Sequence, residues 1–381
     1  MIGLPLLHAI GLAAGLAQNF PPGTIVDDVK CAAEPSQSYA LYLPSRYTSD
    51  RGWPVLFAFH PAARGRAMVE KYAAAAEQYG FIVAGSNNSR NGPWERSKAA
   101  AQAMPADVGR RFSIDLRRIY LTGMSGGSRV ALEIALAGND IAGVIASSAG
   151  YPDSQPRSRV PFPIFATAGT EDFNYLEMRL LDRKLSSPHY LAIFEGGHAL
   201  PPDAVALEAI EWMELQAMKS GRRARDEALI DRLIEKRRTA IAAAASDAVT
   251  VHLLDALVSD FQGLRNVSAE ATRAKTLVKA PDVRKALDRE RAADDEDSRT
   301  LNDVLDLERG LGDSDQRAQS LLRLRHEFEK LSRTANAEQD SSARARARRL
   351  LRMITAGAGE RVQDAEYRAI LDQYRLPGRG M

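Results

Sequence analysis

At 381 residues the chain has room for two domains and a large core, and an apolar fraction of 45% excludes wholesale disorder. Lys and Arg number 51 against 49 Asp and Glu, so net charge gives no argument for nucleic acid or an anionic membrane surface as a partner. The lone cysteine, Cys31, excludes an intramolecular disulfide and any C-x-x-C metal or redox pair.

The first 18 residues, MIGLPLLHAIGLAAGLAQ, form an apolar run that ends in small residues, with Gly15 and Ala17 at suitable −3 and −1 positions. The run carries no Lys or Arg and is short for a membrane span. It reads as a signal peptide over 1–18, so the expectation is an exported protein, periplasmic or secreted, with no stable membrane span after processing.

After the Pro-Pro-Gly break at 21–23, Ser38–Pro44 alternates like a strand and stops at proline. Trp53–His60 is a continuous apolar run, the pattern of a strand covered on both faces. Ala67–Tyr79 has helical character, and Phe81–Gly85 is a further buried strand. A polar loop from Ser86 to Pro93 leads into a helix over Trp94–Arg111, with Pro105 as an interruption point. Ile119–Thr122 reads as a strand that runs into Gly123-Met124-Ser125-Gly126-Gly127 and then an Ala/Leu/Ile helix pattern. Ile141–Ser147, Pro163–Ala168 and Tyr190–Phe194 are core strands, and Pro201–Met218 closes the unit as a helix. Strands alternating with helices predict a mostly parallel sheet, hence an α/β domain over 27–219.

Near Lys219 the pattern changes. Apolar residues now recur at helical spacing, as in Leu229, Leu233 and Ile234, or Leu321, Leu324 and Phe328, among balanced Arg, Glu, Asp and Ala. An all-α region over 220–381 is expected, without a fixed-period repeat, and with a surface open to protein contacts. The arginine clusters at 222–225 and 344–349 have acidic neighbours and few aromatics, so they read as solvated helix faces rather than a phosphate-binding patch.

The chemistry centres on Ser125. A G-x-S-x-G is an ordinary glycine-rich turn in most contexts, but between a strand and a helix it reads as a nucleophile elbow. Strained backbone there holds the hydroxyl clear of the sheet edge. A serine hydroxyl needs a base, and the base an acid, in the chain order Ser, Asp/Glu, His. Of six histidines, His8 lies in the leader, His60 precedes the elbow, His189 stands before the final strand, and His252 and His326 belong to the helical region. His198 follows the final strand within Glu195-Gly196-Gly197-His198, where two glycines free the loop to bring imidazole over the serine. The acid should follow Pro163–Ala168, in Gly169-Thr170-Glu171-Asp172; Asp172 is the better candidate, with Glu171 its neighbour. The oxyanion hole needs two backbone N–H groups: Gly126 supplies one and Ala62 the other, because Pro61 has none. His60 then fixes the loop rather than taking part in the chemistry.

These segments, SYALYLP, the histidine loop after FAF, GFIVAGSN, DLRRIYLTGMSGGS, AGTED and EGGHALP, stand in the order found in the polyhydroxybutyrate depolymerase and feruloyl esterase-like branch of the α/β-hydrolases, which the chain resembles over roughly 36–215. The resemblance implies an α/β-hydrolase fold with Ser125 as nucleophile, Asp172 as acid, His198 as base, and Ala62 with Gly126 as oxyanion donors. It also implies no cofactor and no metal. The chain departs from the family at His60-Pro61, where His-Gly is usual, and in lacking paired cysteines. The expected activity is hydrolysis of a small or polymeric carboxylic ester through an acyl-enzyme. The alternatives are a catalytically idle binding module, or a peptidase or acyltransferase on the same fold.

Overall fold

The structure, a computed structural model, describes residues 20–138, 140–339 and 341–376, so the expected leader at 1–18 lies outside the described residues. The apolar runs become the strands of an eight-stranded sheet: β1 (Ile25–Lys30), β2 (Ser38–Tyr42), β3 (Trp53–Phe59), β4 (Ile82–Ser86), β5 (Ile114–Met124), β6 (Gly143–Ser147), β7 (Ile164–Gly169) and β8 (His189–Phe194). Their spatial order is β1-β2-β4-β3-β5-β6-β7-β8. The β1–β2 and β2–β4 pairs are antiparallel, and every pairing from β4 through β8 is parallel.

Helices cover both faces, which is why the central strands carry no polar side: α1 (Gly65–Tyr79), α2 (Trp94–Arg111), α3 (Gly126–Ala137), α4 (Tyr175–Lys184) and α5 (Asp203–Lys219). On β3 the period-two alternation sorts the core in two. Val55 and Phe57 pack with Met104, Val130 and Met178, whereas Leu56 and Ala58 pack with Met68, Tyr72 and Ile210. This is an α/β-hydrolase fold followed by helices.

The sequence reading does not contain β1 or α4. Strand β1 is an edge strand with exposed Asp27 and Asp28, so it has no apolar run, and α4 buries only Met178 and Leu181. Pro105 does not interrupt α2; the helix runs on through it with the ring buried.

Beyond Lys219 the described residues form α6 (Glu227–Ala242), α7 (Asp247–Phe261), α8 (Ser268–Leu277), α9 (Pro281–Gly310), α10 (Arg317–Ala335), α11 (Ser342–Arg361) and α12 (Ala365–Tyr374). Side-chain caps start four of them: Asp226, Ser246, Ser341 and Asp364 each accept a first-turn N–H. Helices α6 and α7 bury Ile230, Leu233, Leu257 and Phe261 against Leu215 and Met218 of α5, and Trp212 Nε1 donates to Asp260 Oδ1 at 2.7 Å. Helices α9 to α12 share a core of their own around Leu324, Phe328, Leu351 and Tyr367. They reach the sheet domain through ion pairs, among them Arg179–Asp294 at 2.9 Å and Arg183–Asp295 at 3.2 Å.

Here the structure corrects one expectation. The arginine clusters are only in part solvated: Arg225 is exposed, but Arg223 pairs with buried Glu214, and Arg349, only 5% exposed, pairs with buried Asp297. Arginines enter an interior only with such partners, and a composition balanced in sign conceals the pairing. Among the described residues no helix is long and apolar enough to cross a membrane.

Burial pushes the Asp260 carboxyl up to about 6, against the opposing charge of Arg237. Because the folded pKa lies above the unfolded one, protonation favours the fold. The contribution is complete below about 3.8 and is lost as pH rises through about 6. Relative to Asp260→Asn, which leaves Arg237 its ion pair with Glu208, the wild type should lose up to about 3 kcal/mol of unfolding free energy between pH 4 and pH 7. Urea titrations of both proteins across that range check this; a difference that does not vary with pH would refute it.

Candidate active site

Strand β5 ends at Met124 and α3 begins at Gly126, leaving Ser125 alone at the apex with φ 53° and ψ −123°. Positive φ is costly for a residue with a Cβ and persists only where its surroundings impose it. They do so here through the backbone. Ser125 N donates to Ser147 O at 2.8 Å, and Ser125 O accepts from Ser128 N at 2.9 Å and Arg129 N at 3.2 Å. The flanking glycines are obligatory for space. A Cβ on Gly123 would lie 2.2 Å from the Gly127 carbonyl carbon, and one on Gly127 would lie 2.1 Å from Phe59 O.

The loop after β7 carries Asp172, fully buried, and the loop after β8 carries His198. Asp172 Oδ1 accepts from Asn174 N at 2.8 Å and lies 2.8 Å from His198 Nδ1. With the carboxylate as acceptor, Nδ1 carries the proton and Nε2 keeps its lone pair. Phe173 stacks on the imidazole with ring centroids 3.8 Å apart, which fixes the ring plane. Asn174 Nδ2 donates to Ser148 O at 2.7 Å, one residue from the carbonyl that holds Ser125 N. The acid loop and the elbow are thus registered through the end of β6.

Glu171 turns the other way. Its carboxylate meets Arg348 Nη1 at 3.3 Å and Arg352. Burial pushes its carboxyl up, but the two guanidinium groups outweigh that and hold it below its ordinary value. The two adjacent carboxylates therefore have separate environments, and only Asp172 faces the histidine.

Among the described residues Ser125 Oγ makes no hydrogen bond, so the serine and histidine loops are brought to one end of the sheet without that link being closed. The expected oxyanion donors are the backbone N–H groups of Gly126 and Ala62. Gly126 N belongs to the first turn of α3, where a helix leaves its N–H groups unpaired. Ala62 N donates to His60 Nδ1 at 3.0 Å, so an oxyanion there would have to share or replace that acceptor. Burial, then the charge of Arg64, push His60 down to about 4, which keeps it neutral and able to accept.

The Asn91 carboxamide is a residue the sequence reading leaves without a role. Its Oδ1 lies where a Cβ on Gly126 would fall, 1.8 Å away. Polar loops are common, and nothing in SNNSRNGP singles out one asparagine. Beside it a cleft of about 460 Å³ opens between Arg90, Asn91, Trp94, Gly126 and Arg129. Arg129 is held by Glu177 through two bonds of 2.8 Å, so its charge is already answered. Among the described residues no cluster of three or more His, Cys, Asp or Glu could hold a metal.

No protein-family model matches the chain, and no curated protein matches its sequence. Among solved structures, a thermostable esterase shares 19% identity over 49% of this chain and 61% of its own length, with a TM-score of 0.37. This chain therefore spans about three-fifths of that protein. A hyperthermophilic esterase from the archaeon Pyrobaculum calidifontis shares 12% identity over 52% of this chain and 85% of its own, with a TM-score of 0.39. A feruloyl esterase module from Clostridium thermocellum shares 13% identity over 50% of this chain and 86% of its own, with a TM-score of 0.37.

The geometry of the elbow makes a direct prediction. Gly127→Ala forces a methyl against a backbone carbonyl that cannot move without parting β3 from α3. It should cost about 3 kcal/mol or more, measured as a lowered urea midpoint at unchanged slope.

Proposed function

We propose that the chain is a serine hydrolase that cleaves a carboxylic ester through an acyl-enzyme. The observation that carries this reading is the 2.8 Å hydrogen bond between buried Asp172 and His198, on loops beside a serine in positive-φ backbone at a strand–helix junction. In that reading Ser125 Oγ attacks the acyl carbon as His198 Nε2 takes its proton. The bond breaking is the ester C–O of the collapsing tetrahedral species, and His198 returns the proton to the departing alkoxide. Water then repeats the cycle on the acyl-serine. Asp172 holds the tautomer and stabilises the imidazolium, and Gly126 N, with Ala62 N once it leaves His60, receives the oxyanion. The open Ser125–His198 link fits a resting site, since catalytic hydrogen bonds often close only around substrate.

Turnover of p-nitrophenyl esters of increasing chain length tests this. Ser125→Ala should abolish turnover with native melting behaviour, and a fluorophosphonate should label Ser125 of the wild type. Asp172→Asn should lower kcat by about 10⁴, equivalent to ~5.5 kcal/mol, with KM nearly unchanged. A fluorophosphonate adduct on a different serine would overturn the assignment.

A further inference from the structure

The short segment Thr170-Glu171 stands between β7 and the acid Asp172, and every polar group it owns is engaged. Thr170 N donates to Phe194 O at 2.9 Å and Glu171 N to Gly196 O at 2.8 Å, which ties the acid loop to the loop that carries His198. Thr170 Oγ1 accepts from Gly196 N at 3.4 Å. The remaining acceptors all face α11. Arg349 Nη1 donates to Thr170 O at 3.1 Å, Arg352 Nη1 to Glu171 O at 3.5 Å, and Arg348 and Arg352 together take the Glu171 carboxylate.

Helix α11 is itself anchored to α9, in part through the same Arg349. Asp297 of α9, fully buried, binds Arg346 at 2.7 Å and Arg349 at 3.1 Å, and the Arg349 guanidinium lies 3.9 Å from the Tyr175 ring centre. Arg352 also reaches the base loop, since a Cβ built on Gly197 would lie 3.7 Å from its Nη1. The helix therefore binds the Asp172 loop and lies against the His198 loop.

We propose that α11 is a positioning element of the hydrolytic site, with Arg348 and Arg352 acting through Glu171 to set the Asp172–His198 pair. The proposal rests on the role given to that pair above. A loop whose backbone acceptors and one carboxylate are all bound by a single anchored helix cannot shift without breaking charge-assisted bonds. In addition, Arg348, Arg352 and Glu171 sum to one positive charge beside an imidazole that must become imidazolium. Asp172 opposes that charge from the acid loop, and Arg349 is answered by Asp297. Removing one member of the cluster therefore loosens the loop that carries Asp172 and changes the net charge of the cluster by one unit.

The test uses the full chain with ¹⁵N-labelled histidine, following the His198 imidazole resonances by NMR, assigned by their loss in His198→Gln. Steady-state kinetics on a p-nitrophenyl ester run alongside. Arg352→Met should displace the His198 Nδ1–H resonance, lower kcat about tenfold and leave KM within about twofold. Glu171→Gln should displace the same resonance and lower kcat in the same way. Arg352→Lys should recover both readouts in part, because one nitrogen, Nη1, makes both contacts to Glu171 and an ammonium can take its place. His198 resonances unmoved in both Arg352→Met and Glu171→Gln, with kcat within about twofold of wild type, overturn the proposal. If Arg352→Met does not fold, Glu171→Gln decides by the same criterion. Displaced His198 resonances in both variants, in a protein that shows no esterase activity, would support the positioning role and refute only the ester reading.

Discussion

The structure depends on one approach of backbone to backbone. Where β5 turns into α3, Gly123 and Gly127 nearly touch, and Gly127 lies against the carbonyl of Phe59 in β3. No Cβ fits in either gap. That contact fixes the helix so tightly against the sheet that the single residue between them, Ser125, is left in a conformation worth roughly 1–3 kcal/mol of strain. Three backbone hydrogen bonds to Ser125 and a core packed on both sheet faces offset it. The strain is thus a consequence of how β3, β5 and α3 pack, and the place of the half-buried serine at the apex of the turn follows from the same packing.

The other half of the site is held by different forces. Asp172 and His198 sit on loops, which lack the repeating hydrogen bonds of the sheet, and their registration comes from side chains: Asn174 to Ser148, Phe173 on the imidazole, and Glu171 to two arginines. Ion pairs at such depth are not a cheap way to gain stability, because desolvation of both charges cancels most of their attraction. Their effect is selective. Arg349 on Asp297, a buried pair, and Arg352 on half-buried Glu171 join the helical region to the loop that carries Asp172 with directional, charge-assisted bonds.

What the sequence made legible follows the same division. Trp53–Phe59 and Ile164–Gly169 announce themselves because a strand covered on both faces must be apolar throughout, and Ser125 is readable because its glycines answer to sterics alone. Chain order singles out His198 among six histidines, and the structure sets it against Asp172. The choice between Glu171 and Asp172 was not forced, since both are carboxylates on one loop and the partners that separate them, Arg348 and Arg352, lie some 180 residues away. The inward turn of the arginine clusters was hidden for the same reason: Arg349 alone looks solvated until Asp297 is placed beside it. Strand β1 and helix α4 escaped because an edge strand and a half-covered helix need too few apolar residues to make a pattern.

These observations meet at the one link left open. The elbow is rigid because backbone sterics determine it, and the Asp172–His198 pair is tied by its own hydrogen bond, yet Ser125 Oγ has no partner among the described residues. The loops bearing that pair are joined by the Glu171 N to Gly196 O hydrogen bond, and α11 binds the Asp172 loop at the Thr170 and Glu171 carbonyls. Backbone sterics thus fix the serine, whereas side-chain hydrogen bonds from outside the sheet fix the Asp172 loop, so the two halves of the site answer to different substitutions.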